Sequence, residues 1–420
     1  MVKAVYGLKD APRAWRKKLH LIQEGFGLVS VYADPQLYVK HVKESTGKST
    51  RPAMLLSAHV DDLKGGAKKK DAMALLDHLE KHVGNCTQQW ADFTHVGIEH
   101  VSRPGQIYTQ QEKYVSQLKE IEKTHYQGLG DEAPVSETGQ AAFATLLGGV
   151  AWLCLTMVPI CVYVQALQRH GARPRAIDLK KLNVLLRWVR RHKVGILYER
   201  QEGQLRLVGV SDAAFKAIPE DSSGLALRGC VVVLKGDSAT SPAAPNGKAM
   251  MLEYVCRRQR RVVRSTFSGE LNGLIDTIEL LLVVQMCLHQ IMRGSPPSLT
   301  EWAAMLDSGQ LEPPADAAVD ARSVFDCLAV SDMGELTEGS LKLHVLSVRE
   351  RLEKQILRRL YWSDTRDMLA DGLTKGSVPR DQLVAVGNRG EYRTAHPGAV
   401  TTCEGGRRST TGATVVRNQQ

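Results

Sequence analysis

The spacing of apolar and polar positions changes along the chain, and each change predicts a different element. Residues 53–60 form a short apolar run that reads as a strand, and residues 87–108 alternate like a small sheet. Over residues 178–192, Leu182, Leu185, Leu186 and Val189 recur at i, i+3, i+4 and i+7. This predicts an amphipathic helix whose Lys180, Lys181, Arg187, Arg190 and Arg191 lie largely outside the apolar stripe, as a solvated or a polyanion-binding face. From Gln204 onward the period becomes that of strands, at residues 205–210, 227–235 and 249–264. A long helix over about residues 268–292 follows, with Leu271, Leu274, Ile278 and Leu281 on one face. A short apolar run ending at Asp320, a helix over about 341–357 and a strand at 358–363 come next. Three antiparallel strands, a helix, then strand, helix and strand make one α/β domain.

Two segments depart from these periods. Residues 141–168 carry no charge, and 146–167 are long enough to cross a bilayer. Gly148, Gly149, Thr156, Pro159 and Gln165 inside the run, and the cationic helix after it, favour one helix buried in a protein core, with no membrane partner. The tail from Asn388, rich in Gly, Thr and Arg, has no apolar period and is expected to be disordered.

Composition narrows the class. At 420 residues the chain can build two or three domains with real cores, which excludes disulfide-stapled miniproteins. Lys and Arg number 55 against 45 Asp and Glu, a formal charge of +10 that favours a polyanionic partner. The eight cysteines stand singly, with no C-x-x-C pair, as expected of reduced thiols in the cytoplasm or nucleus. The first residues lack the apolar core of a signal peptide, so secretion is not expected.

Candidate chemistry falls at three places. Asp61 and Asp62 follow an apolar run and precede Gly65-Gly66, the arrangement of a hairpin tip. It reads either as a solvated turn or as a paired-carboxylate site, which polymerases use because Mg²⁺ takes hard oxygen ligands and must also bind phosphates. Arg257, Arg258, Arg260, Arg261 and Arg264 crowd one predicted strand, as a charge-protected edge or as a track for phosphate oxygens. His78 and His82 share a helix face without a third ligand in view, so no zinc site is expected.

Val5-Tyr6-Gly7-Leu8-Lys9-Asp10-Ala11-Pro12-Arg13-Ala14-Trp15, then Asp34-Pro35-Gln36-Leu37-Tyr38, the Asp61-Asp62 hairpin and Gln110-Gln111-Glu112-Lys113-Tyr114 occur in this order. Together they resemble the reverse transcriptase of copia-type retrotransposons. Ser211-Asp212-Ala213, Arg258-Gln259, Ser268-Gly269-Glu270-Leu271, Val319-Asp320 and Ala370-Asp371-Gly372-Leu373-Thr374-Lys375 resemble the RNase H domain that follows in the same Pol polyprotein. The chain departs from the family at Asp10, His59, Val158 and Ile160, and no residue takes the role of the family's first polymerase carboxylate.

The resemblance implies an α+β or α/β architecture: a partial reverse-transcriptase palm over 1–125, a helical thumb or connection over 126–203, an RNase H-like mixed-sheet domain over 204–380 and a disordered tail over 381–420. It implies that Asp212, Glu270, Asp320 and Asp371 form a catalytic site binding Mg²⁺ or Mn²⁺. Two such ions, about 3.5–4 Å apart, would activate water and stabilise the leaving oxygen. Arg257, Arg258, Gln259, Arg260 and Arg261 would contact nucleic acid, and Asp61 and Asp62 would be a polymerase remnant. The expected partner is an RNA–DNA hybrid or other nucleic acid, with the remainder of the Pol polyprotein as a further possible one. The expected activity is hydrolysis of the hybrid's RNA strand, with no primer extension by this chain alone; the alternative is a degenerate retroelement remnant that only binds. Singly, each acid also has a bland role: Glu270 as a helix N-terminal residue, Asp212 and Asp320 in strand-end turns, Asp371 as a cap. Neighbouring Asp316, Asp326, Asp364 and Asp367 fall outside the matching positions, and His344, at a position where the family often has His, is given no chemistry.

Overall fold

The computed structural model describes residues 9–43, 50–215, 225–236, 245–295, 298–330, 338–404 and 407–412; the motif at residues 5–8 lies outside them. The chain is a mixed α+β protein that divides into two compact units, one of Met1–Val96 with Leu282–Pro313 and one of Gly97–Leu281 with Pro314–Gln420. Both boundaries differ from a simple division near residues 125 and 204.

The first unit opens with α1 (Ala11–Gly25), whose first turn takes Pro12, where the missing N–H costs nothing. Strands β1 (Val29–Ser30), β2 (Leu37–Lys43), β3 (Thr50–His59) and β4 (Asp62–Ala67) form an antiparallel sheet in that order. In β3 burial alternates, with Met54, Leu56 and Ala58 inward, as a half-buried strand requires. These side chains meet Leu19 and Ile22 of α1 and Leu75 and Leu79 of α2 (Lys69–Val83). The three-residue strand β5 (Phe93–His95) follows.

In the second unit, β6 (Ile98–Arg103) and β7 (Gln106–Gln110) pair antiparallel, and α3 (Glu112–Gln117) follows. The uncharged run is not one helix. It is split into α4 (Glu137–Leu153) and α5 (Cys161–Gln168) by a 3-10 turn containing Pro159. The Pro159 ring supplies no N–H to continue an α-helical ladder, and it sits in the opening residues of the short turn, where none is needed. The two pieces instead pack with α6 (Ala176–Arg191) around Phe143, Val150, Leu182 and Leu186, all fully buried. A fully buried leucine contributes roughly 1.5–3 kcal/mol, so this cluster accounts for the folding of a segment that hydropathy alone would assign to lipid. The cationic face of α6 is partly neutralised within the chain: Lys180 pairs with Asp131, and Arg187 and Arg190 with Glu120. Among the described residues one helix, Thr266–Arg293, is long and apolar enough to cross a membrane, with mean hydropathy 1.6 over an 18-residue stretch.

After β8 (Ile196–Glu199), which pairs with β7, come β9 (Leu205–Ala214), β10 (Leu227–Gly236), the short β11 (Gly247–Lys248), β12 (Met250–Arg258) and α7 (Thr266–Arg293). Helix α8 (Leu299–Asp307) belongs to the first unit. Then follow β13 (Ala315–Val319), α9 (Arg322–Ala329), α10 (Lys342–Glu353), β14 (Arg359–Trp362), α11 (Asp371–Thr374), α12 (Asp381–Arg389), β15 (Glu391–Tyr392), β16 (Ala399–Glu404) and β17 (Arg407–Gly412). One seven-stranded mixed sheet has the order β12-β10-β9-β13-β14-β16-β17. Its first three strands are antiparallel, β9, β13 and β14 run parallel, and β16 and β17 return antiparallel. All of β13 is buried, as expected of a parallel strand covered on both faces. At Gly209 in β9 a side chain would meet Thr277 Cγ2 at 2.9 Å, so the glycine lets α7 lie close on the sheet.

The tail expected to be disordered is built into this sheet. Its described part, residues 381–404 and 407–412, holds α12, β15, β16 and β17, and Ala399, Val400, Thr401 and Cys403 are buried. The strands are Thr-rich and carry few large apolar groups. Backbone pairing with β14 supplies what apolar periodicity does not. The expected third strand is also shorter than its sequence pattern, ending at Arg258.

Candidate metal centre

The four acids that the sequence separates by 159 residues converge in the second unit. Asp212 lies two residues from the end of β9 and is fully buried. Glu270 sits in the first turns of α7, where the Ala213 N–H donates to its Oε2 at 3.1 Å. Asp320 follows the last residue of β13, and its carbonyl accepts a bond from Trp362 Nε1 at 2.8 Å. Asp371 opens α11. Oxygen atoms of Asp212, Glu270 and Asp320 all lie within 4.8 Å of one another, close enough for one cation to reach all three.

Asp371 joins them through Lys375, a residue of the same motif to which the sequence alone attaches no role. Lys375 Nζ is 2.7 Å from Asp371 Oδ1, 3.1 Å from Asp212 Oδ1 and 3.9 Å from Asp320 Oδ2. Its spacing from Asp371, one helical turn, is the signal that was there to find. Thr374 Oγ1 donates to Asp212 Oδ2. What admits α11 to this place is Gly229, whose Cβ would lie 2.8 Å from Ala370 O and 2.9 Å from Leu373 Cβ.

Burial of so much negative charge is costly, and the protonation equilibria record it. Burial, then the Asp212 and Asp320 charges, raise the Glu270 pKa to about 9. Burial and then Asp212 raise Asp371 to about 7 and push Asp320 upward as well. Burial works against the Lys375 ammonium, but Asp212, Asp371 and Asp320 outweigh it and hold the proton on more tightly. A divalent cation would neutralise the carboxylates in place of protons, and the all-oxygen donor set suits Mg²⁺ or Mn²⁺.

The neighbouring acids are occupied elsewhere. Asp316 pairs with Arg206 at 3.0 Å, Asp326 with Arg322 at 2.9 Å, Asp364 with Arg366 at 2.8 Å and Asp367 with His396 at 3.0 Å.

The other predicted groups fare differently. Asp61 and Asp62 do sit at the tip of the β3–β4 hairpin, where Val60 takes a left-handed conformation (φ 56°) and its carbonyl accepts from Trp15 Nε1 at 2.7 Å. Both acids are exposed. Among the described residues the only trio of potential metal ligands is Asp212, Glu270 and Asp320, which leaves His78 and His82 without a third ligand. His78 Nε2 instead bonds to Ile22 O at 2.9 Å.

Arg257 and Arg258 end β12, while Arg260, Arg261 and Arg264 lie in its connection to α7. Arg257, Arg260, Arg261 and Arg264 are exposed, and Arg261 Nη1 lies 3.1 Å from His344 Nε2. Gln259 is not a surface residue as expected. It is 3% exposed, its N–H bonds to Ala226 O at 2.8 Å and its Nε2 to Gly269 O at 2.7 Å. A residue so held positions the start of α7, next to Glu270, rather than touching a ligand.

No protein-family model matches the chain, and a search of curated proteins finds no significant match.

Proposed function

We propose that this chain is a portion of a copia-type retrotransposon Pol polyprotein and that its second unit is an RNase H-type endonuclease, cutting the RNA strand of RNA–DNA hybrids. The observation that carries the reading is the convergence of Asp212, Glu270, Asp320 and Asp371 from two strand ends and two helix starts on one mixed sheet. Three antiparallel strands followed by parallel β13 and β14 support it, because an RNase H-like domain has that order. A bound Mg²⁺ or Mn²⁺ would supply an activated water and neutralise charge on the scissile phosphate. Asp212, Glu270 and Asp320 would hold it, and the Ala213 N–H keeps the Glu270 carboxylate turned toward the other two. Arg257, Arg260 and Arg261 present guanidinium groups suited to the phosphates of a duplex backbone. Recognition of RNA over DNA would rest on the 2′-hydroxyl. The Asp61-Asp62 hairpin is assigned to a polymerase remnant, without an activity of its own.

The test is cleavage of an end-labelled RNA–DNA hybrid by the full chain, with Mg²⁺ and with chelator. Metal-dependent cutting confined to the RNA strand is expected. Tight hybrid binding without cutting under either condition would replace the nuclease with the binding-only remnant.

A further inference from the structure

Resting on that reading, the geometry around Lys375 points to a more specific arrangement. The trio Asp212, Glu270 and Asp320 is compact enough for one ion, whereas Asp371 stands outside it. Between Asp371 and Asp212, where a second ion would need to bind, there is already a cation: Lys375 Nζ contacts one oxygen of each, at 2.7 and 3.1 Å. A divalent ion bridging those two oxygens would lie about 2.0–2.1 Å from each if it were Mg²⁺. Such an ion and the ammonium would occupy overlapping space.

We infer that the centre takes one divalent ion, at Asp212, Glu270 and Asp320, and that the Lys375 ammonium is its second cation. Lys375 is anchored for this role. It directly follows Thr374, whose hydroxyl donates to Asp212, and its carbonyl accepts from Arg380 Nη2 at 2.8 Å. It is a positioning residue: it keeps Asp371 against Asp212 whether or not a metal is present, and it makes a one-metal site of a carboxylate set that could otherwise hold two.

The experiment is a Mn²⁺ titration of the full chain, reading unbound Mn²⁺ by electron paramagnetic resonance, with folding followed by far-ultraviolet circular dichroism. Wild type should bind one Mn²⁺. Lys375→Met should bind two, and Lys375→Arg, which keeps the charge, should remain at one. Two ions on the wild type would overturn the inference while leaving the metal centre intact, and this outcome can be read even if Lys375→Met fails to fold. A folded Lys375→Met that still binds a single ion would also overturn it. No binding by wild type would remove both the lysine's role and the nuclease reading beneath it.

Discussion

Gly229 stands directly across the β9–β10 ladder from Asp212, and the volume a side chain would need there is filled by α11. The absence of a Cβ on one strand thus sets the position of an acid that comes well over a hundred residues later. Gly229→Val should force Ala370 and Leu373 away and carry Asp371 with them. The expected cost is about 1–3 kcal/mol of stability, typical of overpacking. Denaturant melts would measure that loss, and Mn²⁺ binding by the folded fraction should weaken as Asp212 loses the Thr374 hydroxyl that orients it. A variant as stable as wild type would show that α11 can shift without strain.

Asp212→Asn should lower hybrid cleavage by more than the roughly 100-fold that losing an outer partner of a metal ligand costs. Hybrid binding should be retained or tightened, because a charge repelling phosphate is gone. Asp326→Asn, whose partner is Arg322, should cut normally. Single-turnover cleavage beside filter binding separates the two effects, and equal loss in both variants would count against the chosen set.

The proton equilibria predict an inverted pH dependence of stability. Without metal the folded chain keeps protons on Glu270 to about 9 and on Asp371 to about 7, against ordinary values of 4.5 and 3.8. Between about pH 4 and 9 the folded state therefore binds more protons than the unfolded one, and stability falls as pH rises through that window. Saturating Mg²⁺ should flatten the fall, since the ion replaces the protons. Melting temperatures in chelator and in Mg²⁺ across this range test it; parallel curves would mean that the ion does not engage these carboxylates.

Arginine and glutamine at the end of β12 should separate cleanly. Replacing Arg257, Arg258, Arg260 and Arg261 with Ala should weaken hybrid binding and reduce its salt dependence, by about 0.9 in logarithmic slope for each phosphate left without its arginine. Gln259→Leu should leave that slope alone and destabilise the fold by about 0.5–1.5 kcal/mol, the worth of the side-chain hydrogen bond to the Gly269 carbonyl. Titrations at several salt concentrations, with melts of both variants, give the two readouts.

Legibility in the sequence followed the strength of apolar patterning. Strands β9 and β10 and helix α7 could be read because Val, Leu and Ile crowd them, and the short β13 and β14 because small or aromatic apolar residues interrupt polar stretches; the acids beside them stood out only through the order of the family motifs. Strands β16 and β17 were not, because Thr and Arg signal neither core nor turn, and their hairpin is held to the sheet by hydrogen bonds from β16 to β14, some forty residues earlier. The break between α4 and α5 was signalled by Pro159 and underweighted against the absence of charge. Gln259 was misplaced because its motif neighbours are arginines, and a polar residue among charges looks exposed until its two backbone partners are seen.

The division of the first unit has a consequence for how the protein is made. Residues Met1–Val96 leave the ribosome long before Leu282–Pro313, the segment that belongs with them. The N-terminal sheet, whose four strands all lie before residue 68, must wait for this helical segment while residues 97–281 are synthesised. Any fragment that begins after residue 97 carries α8 and the last turns of α7 without their own sheet, so cutting the chain at a single point will always strand one of its parts.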